Sequence, residues 1–191
     1  MLAAGLPPHI ALGTNKFASA AAAAIASAKY LESDIVPRKA AFIGWIVMII
    51  FSIIGTYTVL LIESDMLLPI VIIVLIILFF YVLLNPQFGK EEDIKEEKVV
   101  PLTVGMGVGF GWYDGFLGPG TGSMLMAGYI KGAGFGMDRA AATARILNFG
   151  GNIGSYAMFA IAASVNYKVA IPFALANICL LYTSDAADEH T

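Results

Sequence analysis

AAFIGWIVMIIFSIIGTYTVLLI, Ala40–Ile62, runs 23 residues without a charged side chain, and MLLPIVIIVLIILFFYVLL, Met66–Leu84, runs another 19. A hydrocarbon core about 30 Å thick needs roughly 20 apolar residues in helical form, so each stretch is long enough to span a bilayer. Between them stand only Glu63, Ser64 and Asp65, a polar turn. The rest of the composition agrees. The 191 residues are 59% hydrophobic and 13% charged, with a mean hydropathy of +0.80. An ordinary soluble domain is about 45–50% apolar and about 25% charged, and a chain of this size has too little interior to hide the excess. A soluble enzyme, a disordered tail and a nucleic-acid binder are excluded on these grounds. The expected fold class is all-α, a polytopic transmembrane helical bundle whose partner is the lipid bilayer.

Outward from this core, the helical pattern continues. Pro7-Pro8 precedes an alanine-rich helix expected from about Thr14 to Leu31, and Pro37 opens the Ala40–Ile62 helix. Asn85-Pro86 stops the Met66–Leu84 helix. Residues 85–98, which include KEEDIKEEK, read as a charged, solvated cytoplasmic loop. From Val104 to Gly136 there are 12 glycines, as in GVGFGWYDGFLGPGTG (Gly107–Gly122). That segment predicts two short helices, about Val99–Phe116 and Thr121–Ala133, around a non-helical break. A helix from about Arg139 to Val165 follows, then a last span from Lys168.

The ends are unusual. No basic region precedes Met1–Ala4, so no cleavable signal peptide is expected, and the spans themselves would direct insertion. CLLYTSDAADE, Cys179–Glu189, turns polar inside an apolar run and resembles translated sequencing adapter, so residues 179–191 are expected to be non-native. Without them the chain holds as many acidic as basic residues. Nothing about redox chemistry is read from Cys179, the one cysteine. Lysine and arginine cluster at Lys29, Arg38, Lys39 and in the 85–98 loop, whereas the 63–65 turn has none. By the positive-inside rule the former loops face the cytoplasm, together with Arg139 if both short helices cross.

Ala11-Leu-Gly-Thr14-Asn-Lys16 is echoed by Ala140-Ala-Ala-Thr143-Ala-Arg145. Each copy opens a helix after a glycine-rich or proline-broken stretch. Five expected crossings between them, an odd number, make residues 1–84 and 99–178 two homologous, inverted halves. Broken helices in matching places of inverted halves point to a transport site near the midplane.

Ionisable groups at membrane depth are costly and hence functional candidates. Here they are Lys16, Asp114 and Arg145. Arg145, Asn148 and Asn152 share one helix face, which suits an oxyanion. Thr14, Asn15 and Lys16, read as the first turns of a helix, would add outward-pointing amides. Gly118, Gly120, Thr121 and Gly122 would offer close backbone approach. Asp114 either pairs with Lys16 or Arg145 or carries a proton. Gly150, Gly151 and Gly154 read as close-packing positions, and His9 as structural. There is no metal-ligating cluster, no catalytic triad and no nucleotide-binding motif, so no cofactor and no enzymatic activity are expected.

GLPPHIALGTNKFAS (Gly5–Ser19), GWYDGFLGPGTGSMLM (Gly111–Met126) and ATARILNFGGNIGS (Ala142–Ser155) resemble the signature stretches of the sulfite exporter TauE/SafE family. The resemblance covers nearly all of residues 2–178. It implies an inner-membrane, multi-pass permease with two homologous halves, moving sulfite, sulfonates such as sulfoacetate, or other small organic anions. It also implies a glycine-rich span before the LPPH motif and a further helix after Ile178, so the chain is expected to be a fragment. The resulting expectation is a secondary transporter of a small anionic substrate, with substrate-contacting groups at the positions above and a homo-oligomer possible. Two rivals remain open: a non-transporting membrane subunit whose glycines only pack helices, and a cation or proton-coupled transporter using Asp114.

Overall fold

A computed structural model describes residues 5–31, 34–84 and 96–188. Its elements are seven helices: α1 Pro8–Leu31, α2 Arg38–Leu60, α3 Ser64–Leu84, α4 Glu96–Phe116, α5 Thr121–Ala133, α6 Met137–Ile161 and α7 Tyr167–Asp188. There is no strand among the described residues.

Helix boundaries follow proline and glycine chemistry, with three differences from the expectation. First, α1 starts at Pro8, not Thr14. Proline suits a first helical position, where its missing N–H would have no partner anyway, and Ala11 N–H already bonds the Pro7 carbonyl at 2.9 Å. Second, α4 starts at Glu96, so the last residues assigned to the charged loop form its first turn, with two glutamates at the positive end of the helix. The remainder of that loop, residues 85–95, lies outside the described residues. Third, α6 ends at Ile161, and Ala163 adopts φ 53° in the turn that follows. The backbone of α7 runs without interruption through Cys179 to Asp188.

The molecule is sorted inside out. Ile, Leu and Phe face outward along α2 and α3: Phe42 is 62% exposed, Ile77 61% and Phe79 64%. Meanwhile Thr14, Ser52, Thr56, Thr103, Thr143 and Ser155 are completely buried. Contiguous apolar surface beyond a few hundred Å² is rare on a soluble monomer, and this belt covers whole helices. Among the described residues, α2 (Arg38–Leu60) alone meets both the length and the composition needed to cross a membrane; its most apolar window has a mean hydropathy of 2.2. Shorter apolar stretches run Ser64–Ile77 and Tyr167–Leu181. The 13 residues of α5 extend only about 20 Å, less than the hydrocarbon core, so the helix pair α4–α5 does not supply two full-length crossings.

Lipid is as apolar as leucine, so helices in a bilayer associate by close packing rather than by hydrophobic burial. Small residues make that contact here. α2 is the hub, lying against α4 and α6, while α1 lies against α6 and α7. A Cβ on Gly115 of α4 would overlap the Ser52 carbonyl of α2 and stand 2.7 Å from its carbon. On α6, a Cβ on Gly150 would lie 2.6 Å from the Trp45 carbonyl oxygen, and one on Gly154 equally close to that of Ile49. The geometry shows the expected packing role at Gly150 and Gly154; Gly151 instead faces the Asp114 carboxylate and Met48.

Two ends can be distinguished. At one, Arg139 of α6 pairs with Glu96 of α4 at 3.0 Å, and residues 34–35 line a cavity with Gly136–Arg139. At the other, the His9 ring joins α1 to the α2–α3 turn. Its Nε2–H donates to the Val59 carbonyl at 3.1 Å, and its Nδ1 accepts from Ser64 Oγ at the same distance. His9 is thus structural, as expected. The α6–α7 turn is at this second end too, since Thr14 Oγ1 accepts the Asn166 N–H at 3.0 Å.

Helix packing gives a direct test. Gly115→Ala places a methyl group against the α2 backbone and is expected to destabilise by about 1–3 kcal/mol, the usual cost of overpacking. Gly105→Ala, where nothing lies within 4 Å of the new Cβ, should be neutral or stabilising by helix propensity. Equal melting temperatures of the two variants in detergent would refute the packing assignment.

Candidate functional site

Thr121 begins α5 four residues after Leu117, and the chain between them cannot be helical. Gly118 and Gly120 take φ values of +89° and +79°, a left-handed conformation that side-chain-bearing residues rarely adopt. The turn is braced at both ends. Tyr113 donates its phenolic O–H to the Pro119 carbonyl at 2.7 Å, and Thr121 Oγ1 donates to the Gly118 carbonyl at 2.8 Å. The first turn of α5 therefore presents the positive end of its helix dipole to the space beside the break.

That space is a cavity of about 500 Å³, within the usual range for small-molecule sites. α1 contributes Asn15 and Lys16, α4 Asp114, the break and α5 Gly118, Gly120, Thr121 and Gly122, and α6 Arg145, Asn148 and Asn152. Residues far apart in the chain converge here because α1 and α6 pack side by side, with α4 against α6. Ten of the eleven residues expected at the site line this one cavity.

Thr14 does not. Its hydroxyl holds the start of α7, as above, and its backbone N–H lies inside the helix. The start of α1 at Pro8 has the same consequence for Asn15 and Lys16: they lie in the helix interior, where N–H groups bond carbonyls four residues back. The expected amide cradle at the first turn of α1 is absent, and these residues act through their side chains.

Lys16 Nζ stands 2.9 Å from Asp114 Oδ2, and the two side chains are 4% and 2% exposed. The approach lacks hydrogen-bond alignment, and Oδ2 accepts no hydrogen bond among the described residues; the contact is charge against charge. Lys16 does not snorkel to the surface, and the pairing alternative for Asp114 is realised with Lys16 rather than Arg145. Two glycines admit the pair. A Cβ on Gly118 would stand 2.6 Å from Lys16 Nζ, and one on Gly151 would overlap Asp114 Oδ2.

Arg145 is exposed to the cavity, with its guanidinium carbon 5.4 Å from the Tyr30 ring centroid. This distance allows a cation–π contact that fixes the side chain without cancelling its charge. Asn152 donates its Nδ2 to the Asn148 carbonyl at 2.9 Å, which orients one amide along the helix.

The model of the sulfite exporter TauE/SafE family matches residues 1–184. The chain belongs to the sulfite exporter TauE/SafE family. Curated relatives carry transporter names. A "Probable membrane transporter protein" of Haemophilus influenzae is 30% identical over 88% of this chain and 66% of its own length. "Probable membrane transporter protein ORF9" of a Sinorhizobium species is 31% identical over 90% and 66%. "Probable membrane transporter protein YfcA" of Escherichia coli K12 is 29% identical over 86% and 61%. The chain thus spans less than two thirds of each of these relatives. No solved structure matches it.

In this TauE/SafE chain the cavity also takes in Ser19 and Asn177, which the sequence reading did not select. Ser19 carried a usable signal. Asn15, Ser19, Ala22 and Ala26 follow the spacing of a single helix face, a stripe of small and polar residues opening onto the cavity. Asn177 gave none beyond being an amide in an apolar run.

Removing one partner of the buried pair leaves an uncompensated charge, which costs about 3–5 kcal/mol. Asp114→Ala should lower thermal stability in detergent by that order, and adding Lys16→Met should restore most of it. A single variant as stable as the parent would show that the pair is not held as described.

Proposed function

We propose that the chain is the substrate-binding part of a secondary transporter of small anions, sulfite, sulfonates or related organic anions, spanning the plasma membrane several times. The observation that carries this reading is the charge of the cavity. Lys16 and Asp114 neutralise each other, and Arg145 remains facing the space with three asparagines and the positive end of α5. Guanidinium and amide N–H groups are the donors that an oxyanion needs. The family's description, sulfite exporter, and the relatives' transporter names support the same class.

Alternating access would come from two inverted halves. Lys16 is the ninth residue of α1 and Arg145 the ninth of α6. α1 begins at the end marked by His9 and Ser64, α6 at the end marked by Arg139 and Glu96. The two motif copies therefore enter from opposite ends and meet at one cavity, which supports inversion even though α5 is short. With the lysine- and arginine-bearing end in the cytoplasm, the cavity would lie at membrane depth, since eight residues of helix carry Lys16 about 12 Å inward from Pro8.

Arg145→Gln should weaken binding of sulfite and of sulfoacetate about 10- to 100-fold, the loss of a charged hydrogen bond of about 1.5–3 kcal/mol, with the melting temperature unchanged. Isothermal titration in detergent measures it. Unaltered anion affinity in Arg145→Gln, together with loss of cation binding in Asp114→Asn, would transfer the assignment to a cation carrier.

A further inference from the structure

The Lys16–Asp114 pair forms part of the cavity wall, so it takes part in whatever binds there. Both residues line the space, yet they are 3% and 1% exposed. Lys16 Nζ stands 2.9 Å from Asp114 Oδ2, in the space that a Cβ on Gly118 would take. An anion arriving in the cavity meets an ammonium whose charge is already neutralised. Among the described residues, Arg145 is then the single uncompensated charge facing the site.

The remaining neighbours do not alter this balance. From α4 itself, Tyr113 adjoins Asp114, with its phenol engaged to Pro119. α2 meets this part of α4 with Met48 and Ser52, α5 contributes Thr121, and α6 contributes Asn148 and Asn152 besides Arg145. α7 contributes Asn177 and Leu181. None of these carries a charge at neutral pH except Arg145.

We propose that the buried Lys16–Asp114 pair sets the charge of the anion this cavity accepts: a monoanion binds alone to Arg145, and a dianion binds together with one proton, which is taken up on Asp114. The proposal rests on the anion-site reading above. The balance is simple. A monoanion neutralises Arg145 and leaves the pair intact. A dianion leaves one negative charge uncompensated at membrane depth, where an unpaired charge is heavily disfavoured. A proton on Asp114 removes the carboxylate's charge and frees the ammonium of Lys16 to face the second anionic group. The carboxylate is free to take that proton, because among the described residues no hydrogen bond reaches its Oδ2 and Lys16 is its ion-pair partner. Lys16 need not move, since its Nζ already stands at the cavity wall beside the Gly118 turn. The cavity's volume of about 500 Å³ leaves room for two anionic groups joined by a short carbon chain.

The experiment uses probes whose charge does not change with pH: methanesulfonate, with one negative charge, and ethane-1,2-disulfonate, with two. Each is titrated calorimetrically into the purified full chain in detergent, from about pH 8 to about pH 6, in two buffers of different ionisation enthalpy to count protons. The disulfonate is expected to bind about tenfold more tightly for each unit of pH lowered, with about one proton taken up per anion. Methanesulfonate should bind with no proton uptake and little pH dependence. Asp114→Asn should bind the disulfonate tightly at every pH, without a proton. If that variant does not fold, the proton count on the parent chain decides alone. Equal proton uptake for the two probes, or pH dependence retained in Asp114→Asn, would overturn the proposal while leaving the anion site in place. Failure of both probes to bind at any pH would overturn the anion-site reading itself, and this proposal with it.

Discussion

A lysine and an aspartate buried away from water are each expensive, and here they stand 2.9 Å apart with almost no exposure. Their mutual attraction offsets desolvation only if the helices that carry them are held at a fixed spacing. α1 must lie close enough to the α4–α5 break for Lys16 to reach Asp114. α6 must approach α4 where Gly151 leaves room for the carboxylate. The left-handed turn at Gly118 must fold around the ammonium. Much of the surrounding architecture meets these demands.

Close approach is the common solution. In water, large side chains would fill such interfaces and burial would stabilise them. In lipid that drive is absent between helices, so backbone-to-backbone contact at Gly55, Gly115, Gly150 and Gly154 takes its place. Buried hydroxyls complete the contacts. Thr56 Oγ1 donates to the Gly115 carbonyl at 3.0 Å, linking α2 to α4. Thr103 donates to the Val99 carbonyl and meets the Tyr129 hydroxyl at 2.8 Å, linking α4 to α5. The large apolar residues left over form the outer belt. The short α5 need not span: its start faces the cavity and its end returns the chain to α6.

The sequence by itself determined the helical class, the membrane setting, the break after Phe116 and most of the residues that line the cavity. Uncharged apolar runs of about 20 residues match the thickness of a bilayer, and Gly-Pro-Gly cannot continue a helix, so those features are local and legible. Costly charges in apolar surroundings identified Lys16, Asp114 and Arg145 without knowledge of their neighbours. Only the tertiary structure decided which charges pair. Lys16 and Arg145 occupy equivalent motif positions, and sequence cannot say which of them Asp114 meets; the packing of α1 and α6 around α4 gives Asp114 to Lys16 and leaves Arg145 to the cavity. Thr14 shows the converse, since it stands two residues from Lys16 yet its hydroxyl turns to Asn166. Neighbours in a helix point in different directions, and what each side chain touches depends on helices remote in the chain.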